Sequence, residues 1–341
     1  MLVAMLLARS DEVAEMRRRD ILKVLFGFTW IAMPNATVAQ TRGPKRIGYL
    51  SGSSQGMREN TSDILEQRLR DLGWRAGETI EFERRWADGD FSRLPGLASE
   101  LVRLKLDVIV ATGSSETSAV HAATKDIPVV FIQVLDPVAL GVVTSIARPG
   151  GNITGLAQGP QILWGKRLGL LTELLGHVPR DVAWLGNPGN AGSEANWADA
   201  KDASAQMGAN LVRIDVSRAD ELEKAFMTAK GTGALLVQFD FLFAMMRKQI
   251  AELAAQTRIP AIYENQAQAL AGGLMSYGGD LRENYREGAV YVDRILKGAR
   301  PADLPVIQAS RFELVLNKGA AKAIGLTIPD SLIARADEVI E

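Results

Sequence analysis

The chain has 341 residues, 47% of them apolar and 23% charged, with a formal net charge of −1. That length allows two domains with real cores, and the near-neutral balance, with no block of like charge in the body, disfavours a nucleic-acid or anionic-membrane partner. The absence of cysteine excludes disulfides, thiolate chemistry and a lipid-anchoring cysteine. Only two histidines are present, so no transition-metal site and no cofactor are expected.

The amino-terminal stretch reads as an address. Met16-Arg17-Arg18-Arg19 is basic, and Ile21 to Met33 is apolar except for Lys23, Gly27 and Thr29. Pro34 to Gln40 is a small-residue segment suited to cleavage after Ala39. The apolar part is too short for a comfortable membrane span. Residues 1–39 are therefore expected to be a signal peptide, with 1–15 as an upstream extension, and the mature chain to begin near Gln40 in the periplasm. Arg18-Arg19-Asp20-Ile21-Leu22-Lys23 resembles a twin-arginine signal, although Ile21 stands where Phe is commoner, so both export routes stay open.

The body begins with a strand over Lys45 to Leu50, ending in Ser51-Gly52-Ser53-Ser54. A helix follows from Asn60 or Thr61 to Leu72, with Ile64, Leu65, Leu69 and Leu72 on one face and Gly73 as its stop. Thr79 to Arg85 alternates enough to lie near a sheet edge, and Pro95 to Leu104 is the next helix. Asp107 to Thr112 is an apolar run rich in β-branched residues, as in a strand buried on both faces of a parallel sheet. It runs through Gly113-Ser114-Ser115, with Ser114 or Ser115 as N-cap, into a helix over Glu116 to Thr124. Val129 to Val134 is the following strand and closes in Asp136-Pro137. Strands alternating with helices in this way predict a parallel sheet wound on both faces.

Arg148-Pro149-Gly150-Gly151-Asn152 then breaks the pattern. Ile153 to Ala157 reads as a first crossing between lobes, and the helix Ile162 to Leu175 follows. From there the pattern restarts. Asp181 to Leu185 echoes Arg46 to Leu50, Gly233 to Phe239 echoes the strand at Asp107, and Ile259 to Tyr263 echoes Ile127 to Phe131. The three offsets are all about 130 residues and in one order, which two similar βα lobes would give. After Leu274 to Gly279, a helix over Asn284 to Leu296 has no place in the second repeat and is assigned to the first lobe. The chain then passes Leu304 to Gln308 and ends in the second lobe from Arg311. The expected fold is α/β: two doubly wound parallel-sheet lobes joined by a multi-crossing hinge. Residues 40–157 with 280–305 form one lobe, and 158–279 with 306–341 the other.

Catalytic motifs fail on context. Gly52-Ser53-Ser54-Gln55-Gly56 matches G-x-S-x-G, but it follows the first strand, and His121 and His177 are poor triad partners. Glycines 48, 52 and 56 lack the dinucleotide spacing. What remains is a set of polar loops at strand ends in both lobes. They are Ser51 to Ser54, Thr112 to Ser115 and Asp136 in the first, and Asn187 to Asn190, Gln238 to Asp240, Tyr263-Glu264-Asn265 and Tyr277-Gly278 in the second. Each alone reads equally as a turn or cap. Facing one another across a cleft, they would recognise a small polar solute rather than transform it. Gly113, Ser114 and Ser115 at a helix start suit a carboxylate, and Asp136, Asp240 or Glu264 suit an ammonium. Phe239, Phe241, Tyr263, Trp184 and Tyr277 are candidates to cover an apolar or aromatic part.

At these residues the chain resembles the ABC-transporter substrate-binding proteins of type I periplasmic-binding fold, a family that includes tryptophan and aromatic amino-acid binders. The resemblance is carried by DVIVATGS (Asp107 to Ser114), Asp136-Pro137 with Gly141, RPGGNITG (Arg148 to Gly155) and the tail from Arg311. It implies capture of an amino-acid-like ligand between two lobes and delivery to a permease and ATPase complex, with membrane contact only through the permease and no catalysis. It implies ligand contacts at Ser53, Ser54, Thr112 to Ser115, Asp136, Asn187, Asp240 and Tyr263. A sensory module feeding a receptor is the alternative; an enzyme on a two-lobe scaffold is a third reading.

Overall fold

The computed structural model describes residues 43–55, 61–158, 163–309 and 311–341. The expected signal peptide lies outside them, as does Gly56 of the G-x-S-x-G match. From Pro44 to Glu341 the chain is one compact unit, built on two sheets. Strands β1 (Lys45–Ser51), β2 (Ile80–Trp86), β3 (Val108–Thr112), β4 (Val129–Val134) and β5 (Ile153–Ala157) come first. Then follow β6 (Asp181–Gly186), β7 (Asn210–Asp215), β8 (Ala234–Val237), β9 (Ala261–Tyr263) and β10 (Met275–Gly279). The chain closes with β11 (Ile307–Gln308), β12 (Phe312–Asn317) and β13 (Glu338–Ile340).

The first sheet has the order β2-β1-β3-β4-β5-β11 and the second β7-β6-β8-β9-β10-β12-β13. All pairs are parallel except β10 with β12. The first five strands of each sheet thus repeat one winding, with the reversal between β1 and β3 and between β6 and β8. Sheets of this order hold ligands beyond the carboxyl ends of the strands, at that reversal. Hydrophobicity set the pattern. Every residue of β3 and β4 is buried, while β2, at the sheet edge, is buried only at Ile80 and partly exposed beyond it.

The helix Leu281–Leu296 returns to the first sheet. Tyr285, Ala289 and Val292 pack with Tyr49, Val130 and Ile132 in one core, and Trp74 donates its indole N–H to Asp293 at 2.8 Å. Asp280 caps the helix by accepting from the N–H groups of Arg282 and Glu283, so it starts three residues before its predicted start. The last crossing lies further on than expected. The sequence pattern places residues from 306 in the second lobe; in the structure β11 pairs with β5, and Val306 is buried in the first core. Hydrogen bonds from Val306 N to Ile146 O and from Ala309 N to Ala157 O hold this short edge strand there.

Candidate ligand-binding site

The carboxyl ends of both sheets meet across a cleft. On the first-lobe side β3 turns through Gly113, whose φ of 121° suits a residue without a side chain. Gly113, not Ser114 or Ser115, is the N-cap of the helix Ser114–Ala123 and offers no side chain to cap it, while the Glu116 carboxyl takes that residue's own N–H in the first turn. The serine hydroxyls face across the cleft instead. Ser115 Oγ accepts from Ala191 N at 2.9 Å, and a Cβ placed on Gly192 would lie 3.1 Å from Ser114 Oγ. Gly192 is the N-cap of the helix Ser193–Gln206, again with no side-chain cap. Two helix amino ends, both positive, therefore oppose one another, an arrangement that favours an anion between them.

Glu116 lies in the same wall, 1% exposed, with its Oε1 2.6 Å from Gly52 N. Burial, helped by the nearby Asp240, pushes its carboxyl up to about 8 against hydrogen bonds from its own N–H and from Gly52. It carries a proton at neutral pH. A Cβ on Gly52 would lie 2.5 Å from Glu116 Oε1 and 2.9 Å from the ring of Phe241. Glycine at that position lets the second lobe close.

Gln133, near the end of β4, has φ 67°, and the register with β5 shifts between Ile132 and Val134. This is a β-bulge, a device that re-aims a side chain beside a site. Gln133 borders two cavities and accepts from Gln158 Nε2 at 3.0 Å.

The second-lobe side is braced. Asp240 Oδ1 accepts from Asn187 Nδ2 at 3.1 Å and Leu242 N at 2.9 Å, and Oδ2 accepts from Asn190 Nδ2 at 2.8 Å. Burial raises its pKa despite these bonds. Glu264 accepts from Phe239 N at 2.8 Å and pairs with Arg167 at 3.1 Å, with side chains 7% and 2% exposed. Arg167 also donates to Tyr277 O at 2.8 Å and lies 4.6 Å over the Trp164 ring. Desolvation lowers its pKa, and Glu264 opposes that shift. Phe239 and Phe241 meet edge to face, centroids 5.5 Å apart.

Phe239 borders three small cavities between the lobes, of about 20, 20 and 60 Å³, each able to hold at least one water. One is lined by Arg167, Glu264, Asn265 and Asn284. The second is lined by Gly113, Ser114, Glu116, Gln238 and Asp240. The third, between Phe239, Phe241 and Leu281, reaches Ser53, Thr61 and Gln268.

Of the residues expected from sequence, Ser53, Gly113, Ser114, Asp240 and Glu264 border these cavities. Ser115 binds the other lobe. Thr112 is buried, donating to Leu50 O, and Ser54 is half-buried and borders none of the three cavities. Asn187 is committed to Asp240 and to Gly189 N. Asp136 follows Leu135, which lines the second cavity, and its carboxylate holds a turn through the N–H groups of Val138 and Ala139. Tyr263 is in the second-lobe core, and Tyr277 packs on Phe312 while its carbonyl holds Arg167. Trp184 is likewise buried in a core.

Sequence reading passed over Arg167, Gln158, Gln268 and the part played by Glu116. A signal existed for Arg167, the one charge on a helix stripe with Trp164, Leu168, Leu171 and Leu174.

The sequence matches a family model described as ABC transporter substrate binding protein over residues 53–340. A tyrosine-binding protein of Clostridioides difficile is 26% identical over 260 residues, 76% of this chain and 74% of that protein. A conserved domain protein of Vibrio cholerae has a crystal structure with a TM-score of 0.81 at 27% identity, covering 86% of this chain and 99% of that one. The structure of an ABC domain from Streptococcus pneumoniae in complex with L-Trp also gives 0.81, at 23% identity, covering 87% and 100%. The two-sheet architecture is that of the type I periplasmic binding proteins.

Proposed function

The chain belongs to the ABC transporter substrate-binding protein family, and we propose that it captures a small, carboxylate-bearing, amino-acid-like ligand between its lobes and presents it to the permease of an importer. The family is one of binding proteins, not enzymes. One observation carries the ligand class. The amino ends of two helices from opposite lobes oppose one another beside a cavity that Gln238 lines, and Gln238 Nε2 has no partner. Such a place suits a carboxylate, and hydrogen bonds rather than the dipoles (about 0.3–2 kcal/mol) supply most of the affinity. The L-Trp complex and the tyrosine-binding relative support an amino acid.

Closure is a population shift. A ligand touching both lobes favours the closed state by its differential affinity, and the permease reads that state. We assign residues 40–157, 280–305 and β11 to one lobe and 158–279 with the tail from Arg311 to the other. The export-signal reading of residues 1–39 puts the working protein in the periplasm, meeting the membrane only through its permease.

A thermal-shift screen of the purified protein against amino acids and aromatic acids tests this. A ligand at 100 times its Kd adds about 2.7 kcal/mol, a clear rise in Tm. A blank screen, or stabilising compounds that are consumed, would sink the proposal.

A further inference from the structure

Among the described residues with a buried, unpartnered side-chain nitrogen or oxygen, Gln238 and Gln268 line the cavities around Phe239. Their surroundings differ. Gln238, 1% exposed, has Oε1 engaged by Asn187 N and Ser193 Oγ, so only the donor Nε2 is open. A lone donor near a helix amino end calls for an acceptor.

Gln268, 2% exposed, has neither Nε2 nor Oε1 engaged, and the cavity it lines joins the apolar Phe239, Phe241, Ala244 and Leu281 to Ser53, Thr61, Arg247 and Asn265, none of which bonds the Gln268 amide. An amide with no partner in such a wall has lost hydration and gained nothing. What satisfies a donor and an acceptor together is a group that both gives and takes a hydrogen bond, above all a hydroxyl. Phe239 and Phe241 border both cavities and so link the places that the two amides line.

We propose that the ligand carries an acceptor at one end, an apolar or aromatic body laid against Phe239 and Phe241, and a hydroxyl-like tip read by Gln268. This rests on the binding function proposed above and makes Gln268 the residue that sets specificity for the tip.

Calorimetric titration with two matched pairs tests it: L-tyrosine against L-phenylalanine, and 4-hydroxyphenylacetate against phenylacetate. The wild type binds the hydroxylated member of an accepted pair at least about tenfold more tightly. Gln268→Met keeps the length, drops both polar atoms and brings the two members within about threefold. The unhydroxylated member binds the variant as well as the wild type, or better. Gln268→Leu, measured alongside, guards against a folding defect of one variant, and both variants should melt no lower than the wild type. Equal affinities within a pair in the wild type, or a preference that survives both substitutions, overturns this inference and leaves the binding function standing. If neither pair binds, this inference falls, and a blank wider screen takes the binding function with it.

Discussion

The two walls of the cleft commit their polar groups differently. On the first-lobe wall, the N-cap Gly113 brings no side chain of its own, and Glu116 carries a proton beneath Gly52. On the second-lobe wall, Asp240 and Glu264 are tied to Asn187, Asn190, Arg167 and backbone N–H groups before any ligand arrives. One wall is ready to receive; the other is stiffened to press rings and amides onto what the first wall holds. Charge alone does not make a ligand contact. A carboxylate whose lone pairs are already met shapes the wall instead.

Breaking the stiff wall should have the largest effect. Glu264→Gln leaves Arg167 buried without its counter-charge, and such losses cost about 3–5 kcal/mol. Denaturant unfolding should show it, and a loss under about 1 kcal/mol would mean that solvent reaches the pair.

The receptive wall should respond to pH. The folded, closed protein holds the Glu116 proton up to about 8, against a reference of 4.5. The resulting stabilisation is complete below the reference value and is lost as pH rises through about 8. Opening the cleft also releases this carboxyl, so the loss is capped near the open–closed difference, about 2 kcal/mol. Glu116→Gln should flatten that part of the Tm-against-pH curve between pH 5 and 8. Parallel curves for variant and wild type would show that the group titrates normally.

The smallest effect belongs to the direct bond between the walls. Ser115→Ala removes the acceptor of Ala191 N, worth about 1 kcal/mol or fivefold in ligand affinity. Calorimetric titration checks it, and unchanged affinity would mean that water replaces the hydroxyl.

The winding was legible because β3 and β4 are uninterrupted apolar runs and because three strand echoes preserved their order. The strand-end loops were legible too, as places. Which side chain in each loop faces the cavities was not. Asp240 looked free because its partners Asn187 and Asn190 lie some fifty positions away. Gln133 looked like a strand residue because a bulge is a matter of register with β5, which no local pattern records. Tyr263 and Gln268 are five residues apart, yet the first fills the core and the second lines a cavity. Their composition would have suggested the reverse.

The return of Leu281–Leu296 to the first sheet has a consequence for how the molecule comes into being. A nascent chain ending at Gly279 would already contain β1 to β10, yet Tyr49, Val130 and Ile132 would still lack the helix that shields them. The amino-terminal half cannot mature ahead of the carboxyl-terminal one, so assembly waits on contacts between residues made far apart in time. That kinetic delay is the cost of threading two lobes with one strand of polymer.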